Sequence, residues 1–319
     1  MSVSLASKSL FEGWEEKHSA LFDEQTIHVR HRLAETGLFT EDAIADLIDR
    51  ADRQHLLITT MGFDKNVKEW RSGEVGNCSG HEVIEAIKNG RMWMNIFKLR
   101  EIDARYGKVL DDIMNEFEAR VPGLEVSKTG FTMLVSSPKI QVYYHADIQG
   151  QSLWQIAGKK RVYVYPASQT FVSDESIEKI LMRETEEEVP YKSWFDDYAE
   201  VYDLEAGEML HWPLYGPHRV ENFDCLNISV TTEHYTREIS NAFAVRYGNG
   251  VLRRTFGMDN LSTVPGGFHV LPKKAAAFLW SRLGIAKKNE FKLDTDFVVD
   301  PKAPNGLVDK YPTKSKDAA

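Results

Sequence analysis

Two histidines and one aspartate stand in two short blocks whose spacing suits a transition-metal site. His145 and Asp147 are separated by one residue at the end of a run with period-2 alternation, so both side chains are expected on the same face of one strand. His218 ends a later block, GEMLHWPLYGPH. Two imidazoles and one carboxylate can occupy one face of an octahedral metal and leave three positions open, as in non-haem Fe(II) oxygenases. The alternative for these three residues is an ordinary polar cluster at strand ends.

The residues around these blocks add a more specific pattern. Lys160 lies fifteen residues after His145, in the string HADIQGQSLWQIAGKKRVYVYP, and the block that ends at His218 fits G-[DE]-x-L-x-x-P-x-x-x-x-H without a gap. Over residues 125–237 the chain therefore resembles the JmjC and cupin-like 2-oxoglutarate/Fe(II) dioxygenases, especially their asparaginyl-hydroxylase-like branch. An H-x-D pair alone arises by chance in many chains, whereas two blocks with intact internal spacing are much more specific.

The resemblance implies an enzyme that uses Fe(II), 2-oxoglutarate and O2 to hydroxylate a protein side chain or a small molecule, or to demethylate it through hydroxylation. His145, Asp147 and His218 would hold the iron. Lys160 would bind the distal carboxylate of 2-oxoglutarate, as a compact cation at the end of a long stem. The other interpretation of Lys160 is a solvent-facing lysine on a strand that carries two further basic residues.

One position departs from the family pattern. The family usually places Ser or Thr three residues before the first metal histidine, to share the cosubstrate carboxylate with the lysine, and here that residue is Val142. Tyr143 or Thr132 could supply the missing hydroxyl, and Tyr143 shares the facing of His145. Val142 therefore keeps open the alternative of a metal-binding cupin whose chemistry is independent of 2-oxoglutarate. A further alternative is a regulatory binding protein with a vestigial metal site, against which the complete set of metal ligands argues.

The fold class expected from these patterns is mainly β with α additions (α+β). From residue 129 four alternating segments follow one another with short breaks, which is typical of antiparallel strands in a sandwich or barrel. The resemblance makes this core, residues 125–237 with an insertion over 167–202, a double-stranded β-helix of the cupin or jelly-roll type. A largely helical region, 1–124, precedes it, and a region with one helix and a frayed tail, 238–319, follows.

Helical spacing of apolar residues predicts four helices before the core and one after it. Thr40 and Ser79 each precede such a stretch, and their side-chain oxygens can accept from the free N–H groups of a first helical turn. A short β-branched run over 56–62 predicts a strand within the mainly helical region. The helices are predicted over 21–36, 41–51, 81–90, 99–120 and 272–285.

Composition excludes several classes of protein. The 319 residues carry a formal net charge of −9, so nucleic acid and anionic membranes are not expected as partners. Cys78 and Cys225 are too few for a disulfide framework. No apolar stretch approaches the roughly 18 residues that span a bilayer, and the N-terminus lacks the apolar core of a secretory signal, so a cytoplasmic protein is expected.

Residues 173–200, inside the insertion, carry most of the net negative charge, with ten acidic and three basic side chains. Related enzymes carry an insertion here that leans over the active-site mouth, where an acidic rim would attract a cationic substrate. The acidic run Glu186, Glu187 and Glu188 is the strongest candidate for that rim. The alternative is a solvated acidic helix that only keeps the protein soluble.

The predicted C-terminal helix carries an apolar stripe of Ala276, Leu279, Trp280 and Leu283. Related enzymes often dimerise through C-terminal helices, so a homodimer through this helix is expected by analogy.

Overall fold

The computed structural model describes residues 9–62, 64–66, 69–187, 189–282 and 294–311, which form strands, α-helices and short 3-10 turns. The α-helices are α1 (Glu16–Leu21), α2 (Glu41–Arg50), α3 (Gly80–Asn89), α4 (Leu99–Ile102), α5 (Ala104–Arg120), α6 (Asp174–Leu181), α7 (Arg237–Phe256) and α8 (Val270–Arg282). The strands are β1 (Phe11–Glu12), β2 (Ile27–His31), β3 (Leu56–Met61), β4 (Trp70–Glu74), β5 (Trp93–Ile96), β6 (Lys128–Ser136), β7 (Gln141–His145), β8 (Gly150–Ala157), β9 (Lys159–Val164), β10 (Glu200–Glu205), β11 (Glu208–Trp212), β12 (His218–Asn222), β13 (Asn227–Tyr235), β14 (Thr295–Val299) and β15 (Leu307–Asp309).

The strands form two sheets. The larger sheet has the order β1-β2-β11-β8-β13-β6-β5-β3-β4-β14-β15, and the smaller has the order β10-β9-β12-β7. The eight strands from β6 to β13 divide equally between the sheets, and all of their pairings are antiparallel. The larger sheet therefore contains strands from all three predicted regions, 1–124, 125–237 and 238–319.

Alternation along the strands decides what each face of the larger sheet buries. Leu134 and Leu153 point from it into an apolar cluster that they share with Val162 and Val220 of the smaller sheet, so the two sheets face each other. Met133, next to Leu134, points to the opposite face and packs in a second cluster with side chains of α2, α3 and α5. The core strands are thus held between two apolar layers.

Several predicted elements are confirmed. The four alternating segments after residue 129 are β6, β7, β8 and β9, and the β-branched run is β3. The side chain of Thr40 accepts from the N–H of Ala43 at the start of α2, and that of Ser79 accepts from the N–H of Glu82 at the start of α3. These caps are local interactions, so the sequence alone could predict them.

The predicted helix over 21–36 is wrong in its central part, which forms β2. Ile27, Val29 and His31 are buried, whereas the residues between them are exposed. This period of 2 is that of a strand with one buried face, and β2 pairs with β11 near the edge of the larger sheet. The predicted helix over 99–120 is interrupted at Asp103, whose carboxylate accepts from the N–H of Arg105 and caps α5. Pairing and capping here override the helical spacing of the apolar residues.

The longest helix of the described residues, α7, was not predicted. It packs against α8 and α6 on two sides, so its buried residues do not form one apolar stripe. Gly248 and Gly250 permit these contacts, because a Cβ would lie 2.6 Å from the Lys273 carbonyl oxygen and 2.6 Å from the Met182 sulfur, respectively. The predicted helix over 272–285 is α8 as far as residue 282, and its last three residues lie outside the described ranges.

Helix α8 leaves part of its predicted apolar stripe on the surface. Leu279 is exposed, Ala276 and Trp280 are partly buried, and Leu283 lies outside the described residues. The homodimer through this helix stays a prediction. None of the helices in the described part of the chain is long and apolar enough to span a bilayer.

The edge of the larger sheet is closed by a strand from the far end of the chain. β14 pairs in parallel with β4, and β15 pairs in turn with β14. The ring of Phe297 on β14 is fully buried against Gly73, where a Cβ would lie 2.2 Å from a ring carbon. Only glycine at position 73 lets the aromatic ring approach the backbone of β4 this closely.

Candidate metal centre and its cavity

Antiparallel pairing of β7 with β12 brings the two predicted metal histidines together. His145 is the register partner of His218, and their ring centroids are 4.0 Å apart. Asp147 follows two residues after the end of β7, with its Oδ2 3.5 Å from Nε2 of His218. One ligand atom from each of the three side chains lies within 4.8 Å of the others, so together they could hold a metal ion.

Backbone carbonyl groups orient both imidazoles. Nδ1 of His145 donates to the Tyr143 carbonyl oxygen at 2.7 Å, and Nδ1 of His218 donates to the Gly216 carbonyl oxygen at 3.1 Å. Because a carbonyl oxygen can only accept, the proton of each neutral ring lies on Nδ1 and Nε2 keeps its lone pair. Burial lowers the pKa of His218 well below its usual value, which also favours the neutral, ligating form.

Asp147 supplies the negative charge of the centre, and one of its carboxylate oxygens is buried without a hydrogen bond from the described residues. The residue is 5 % exposed, and its Oδ2 has no hydrogen-bond partner among the described residues. Burial raises the pKa of Asp147, an effect that His145 opposes. A divalent cation between this oxygen and two neutral imidazole nitrogens would restore the lost interaction, and the N2O donor set suits a first-row transition metal.

A register shift in β7 helps to direct these side chains. From His218 to Val220 the chain of β12 advances two residues, while its partner β7 advances three, from Val142 to His145. Such bulges increase the local twist and re-aim side chains, and they are frequent next to active sites. As a result Val142 and Tyr143, although adjacent, both line the cavity described next.

A cavity of about 440 Å³ opens beside the metal centre, with His145 and Asp147 in its wall. Its walls are largely apolar and aromatic, a composition typical of small-molecule sites. The apolar and aromatic residues that line it are Leu57, Met61, Trp70, Trp93, Phe97, Leu134, Val142 and Tyr143. Sequence analysis missed Trp93, which reaches the cavity through the pairing of β5 with β6, and Phe97, which directly follows β5.

Lys160 on β9 is fully buried beside this cavity. Its Nζ has no hydrogen-bond partner among the described residues and lies 5.0 Å from the ring centroid of the cavity residue Trp93. Burial lowers the pKa of Lys160 to about 7. The alternative interpretation of Lys160 as a solvent-facing lysine is therefore wrong, and its buried Nζ lacks an anionic partner among the described residues.

The two hydroxyl groups predicted near the cosubstrate both line the cavity. The hydroxyl oxygen of Tyr143 accepts from the N–H groups of Gly62 and Glu69, each at 3.0 Å, so its proton remains available for donation. Thr132 on β6 is buried opposite Thr231 of β13.

Three glutamates form the acidic part of the cavity wall: Glu186 and Glu187 from the insertion, and Glu233 from β13. Glu187 is exposed, and Glu188 lies outside the described residues. Burial among protein atoms and repulsion from Asp147 raise the pKa of both Glu187 and Glu233. Glu233 was missed, because nothing in its local sequence distinguishes it from other polar residues that interrupt a strand.

No protein-family model and no curated protein matches the sequence. Among solved structures, the chain is similar to YcfD, a ribosomal oxygenase from Escherichia coli, in complex with cobalt and 2-oxoglutarate, with a TM-score of 0.46 and 14% identity over 91% of this chain and 74% of that one. A separate X-ray structure of E. coli ycfD gives a TM-score of 0.44 and 13% identity, over 87% and 69% of the two chains. Similarity at this level leaves the family open, so the proposals below depend on the residues of this chain.

Replacing Asp147 with alanine is expected to lower the affinity for cobalt(II), a spectroscopic substitute for iron, by about 100-fold or more. Even the hydrogen-bond partners of metal ligands contribute about 10- to 100-fold to affinity, and Asp147 is the anionic ligand itself. Titration followed by cobalt absorption measures the effect, with Asp203→Ala on the outer strand β10 as the control. Equal affinity of the wild type and Asp147→Ala, with both proteins folded, would contradict the assignment.

Replacing Lys160 with methionine is expected to stabilise the metal-free protein at neutral pH. Since burial lowers the pKa of Lys160 from its ordinary 10.5 to about 7, the unfolded chain binds more protons between these pH values. The wild type therefore gains stability as the pH rises through this window, and the advantage of Lys160→Met shrinks. Urea unfolding of both proteins at several pH values measures this, and an advantage that does not change with pH would show that Lys160 is not desolvated.

Proposed function

We propose that the protein is an Fe(II)- and 2-oxoglutarate-dependent oxygenase that hydroxylates a protein side chain or a small molecule. One observation carries the proposal: Asp147 and Lys160, whose charged forms have opposite signs, are buried beside one cavity, and neither Oδ2 of Asp147 nor Nζ of Lys160 has a hydrogen-bond partner among the described residues. Buried charges without partners are costly, so each is best explained by a ligand of the opposite charge. A divalent metal suits the first, and a carboxylate suits the second.

The strand order supports the finer assignment of the fold. The strands β6, β8, β11 and β13 lie together in the larger sheet, and β7, β9, β10 and β12 form the smaller one. Numbered from β6, the orders are 6-3-8-1 and 5-4-7-2, which is the arrangement of an eight-stranded jelly roll. We therefore assign residues 125–237 to a double-stranded β-helix of the JmjC and cupin-like type, in keeping with the two sequence blocks.

In this proposal His145, Asp147 and His218 would hold Fe(II) and leave part of its coordination free for the cosubstrate and O2. When bound, the iron supplies the oxygen chemistry that no protein side chain can perform. The chain contributes neutral imidazoles in fixed orientations and one carboxylate. The apolar walls limit the water around the reacting groups.

The register of the smaller sheet supports Lys160 as the cosubstrate residue. Lys160 pairs with Asn222, which lies four residues from His218 on β12, or about 13 Å along a strand at about 3.3 Å per residue. The length of the lysine side chain and that of a five-carbon dicarboxylate, added together, match this distance if one end of the dicarboxylate is at the metal. Tyr143 and Thr132 would donate hydrogen bonds to its carboxylate groups, since Val142 has no hydroxyl.

The test of this function is turnover in the absence of substrate. Purified protein with Fe(II), ascorbate and 2-oxoglutarate is expected to form succinate slowly, and His145→Ala is expected to abolish that formation because it removes a metal ligand. Succinate is measured by mass spectrometry, with His28→Ala on the surface strand β2 as the matched control. Metal binding without succinate would favour the 2-oxoglutarate-independent cupin, which the valine at position 142 also suits.

Replacing Lys160 with methionine is expected to weaken 2-oxoglutarate binding about 30-fold or more, because truncating one partner of a desolvated charge pair costs about 2–5 kcal/mol. Calorimetric titration of the manganese(II)-loaded protein measures this affinity. Lys159→Met and Arg161→Met are matched controls, since both neighbours are partly exposed and pair with Glu205 and Asp203. Unchanged affinity in Lys160→Met would remove the cosubstrate role from this residue.

A further inference from the structure

We infer that Tyr215 is a positioning residue of the metal centre, and that Arg246 of α7 holds it in the backbone conformation that orients His218. The inference rests on the proposed function to the extent that it requires a metal ion at His145, Asp147 and His218. It goes beyond that function, because it assigns a role at the centre to two residues outside the set of metal ligands and outside the lining of the cavity.

The short loop 213–217 joins β11 to β12 and leads directly into a metal ligand. The N–H of Gly216 donates to the Pro213 carbonyl oxygen at 2.8 Å and closes a four-residue turn. The carbonyl oxygen of the same glycine accepts from Nδ1 of His218 at 3.1 Å. The conformation of this turn therefore helps to set the direction in which the His218 ring presents its other nitrogen to a metal.

Tyr215 adopts a backbone conformation that is unfavourable for its residue type. Its φ is 61°, in the left-handed region, where a bulky side chain is an outlier. It is the third residue of the turn, a position at which glycine or asparagine usually supplies a positive φ. Such conformations persist only where the surrounding structure enforces them, and they cluster at functional sites. Contacts around Tyr215 must therefore hold it in place.

The contacts that hold Tyr215 come from the strands of the metal centre and from two helices. Its ring is buried in an apolar cluster that includes both residues adjacent to the metal ligand His145. The guanidinium carbon of Arg246 lies 4.6 Å from the ring centroid. Nη2 of Arg246 in turn pairs with the carboxylate of Asp174, the first residue of α6, at 3.2 Å. Helices α6 and α7 thus fix the turn from the side opposite the strands.

The ring of Tyr215, and not its hydroxyl group, makes these contacts. The hydroxyl is buried and has no hydrogen-bond partner among the described residues, and the same is true of Nε of Arg246. The guanidinium group is therefore held by the aromatic face and by Asp174, a cation–π arrangement that is lost when either side chain is truncated. Phenylalanine is expected to replace Tyr215 without loss.

A role in packing alone is the alternative, and glycine and alanine at position 215 distinguish the two. The loop is also attached to the chain after β9, because the N–H of Tyr165 donates to the Pro217 carbonyl oxygen at 2.9 Å. If Tyr215 only packs, metal affinity follows the size of its side chain. If it positions His218 through the backbone, metal affinity follows the ease of a positive φ, which glycine adopts without penalty and alanine does not.

Cobalt(II) titration of the full chain tests the inference. Tyr215→Ala is expected to bind cobalt about tenfold or more weakly, as is usual for residues that orient metal ligands. Tyr215→Gly removes more of the side chain, yet it is expected to bind cobalt more tightly than Tyr215→Ala. Tyr215→Phe is expected to match the wild type. The visible absorption of the bound cobalt is expected to change in Tyr215→Ala, because the geometry of the ligands changes.

Arg246→Met tests the contact from α7 without altering the loop, and it keeps the inference testable if Tyr215→Ala does not fold. Cobalt affinity is expected to fall about two- to fivefold, the equivalent of one cation–π contact. Arg254→Met on the same helix is the matched control, since Arg254 pairs with Glu184. It is expected to lower the midpoint of urea unfolding and to keep the affinity and spectrum of the wild type.

Three results would each overturn the inference: wild-type affinity in Tyr215→Ala, no advantage of Tyr215→Gly over Tyr215→Ala, or wild-type affinity in Arg246→Met. If the wild type binds no cobalt, the metal centre and this inference fail together. If cobalt binding follows the expected order but no succinate forms with iron and 2-oxoglutarate, the proposed oxygenase function is wrong and the positioning role remains. If succinate forms and the variants bind cobalt like the wild type, only the positioning role is wrong.

Discussion

The structure is organised around two charges that the protein buries and does not neutralise. Oδ2 of Asp147 and Nζ of Lys160 each lose their hydration without gaining a hydrogen bond from the described residues, and keeping such a group charged costs several kcal/mol. Packing elsewhere must offset this cost, and two extensive apolar clusters lie on either side of the central strands. Metal and carboxylate ligands would remove it, so occupancy of the site and stability of the fold are directly linked.

The positions of these charges follow from strand pairing more than from local sequence. The smaller sheet sets His145 opposite His218 and separates Lys160 from both by a fixed number of residues. Carbonyl groups two residues before each histidine orient its ring, so the same short segments supply the ligand and its support. The register shift in β7 then turns the end of the strand toward the cavity.

Sequence reasoning succeeded where the signal was local and failed where it depended on distant pairing. The alternation of β6 to β9, the cap at Thr40 and the spacing of the two histidine blocks could all be read directly. Strand β2 could not be predicted, because its pairing with β11 outweighs the helical spacing of its apolar residues. Helix α7 could not be predicted either, because it is buried on two sides and so has no single apolar stripe. Trp93 and Glu233 reach the cavity through long-range pairing, which a single sequence does not reveal.

Strand β14, near the C-terminal end of the described chain, pairs with β4 from the N-terminal region. The C-terminal segment therefore completes the part of the larger sheet that the N-terminal strands form. Without β14, the backbone N–H and C=O groups of β4 would form an open edge, and the surface around Gly73 that Phe297 covers would be exposed to water. Open edges of this kind are templates for pairing between chains. Shortening the protein before residue 295 would therefore convert a protected strand into an aggregation-prone one, even though the cavity lies elsewhere.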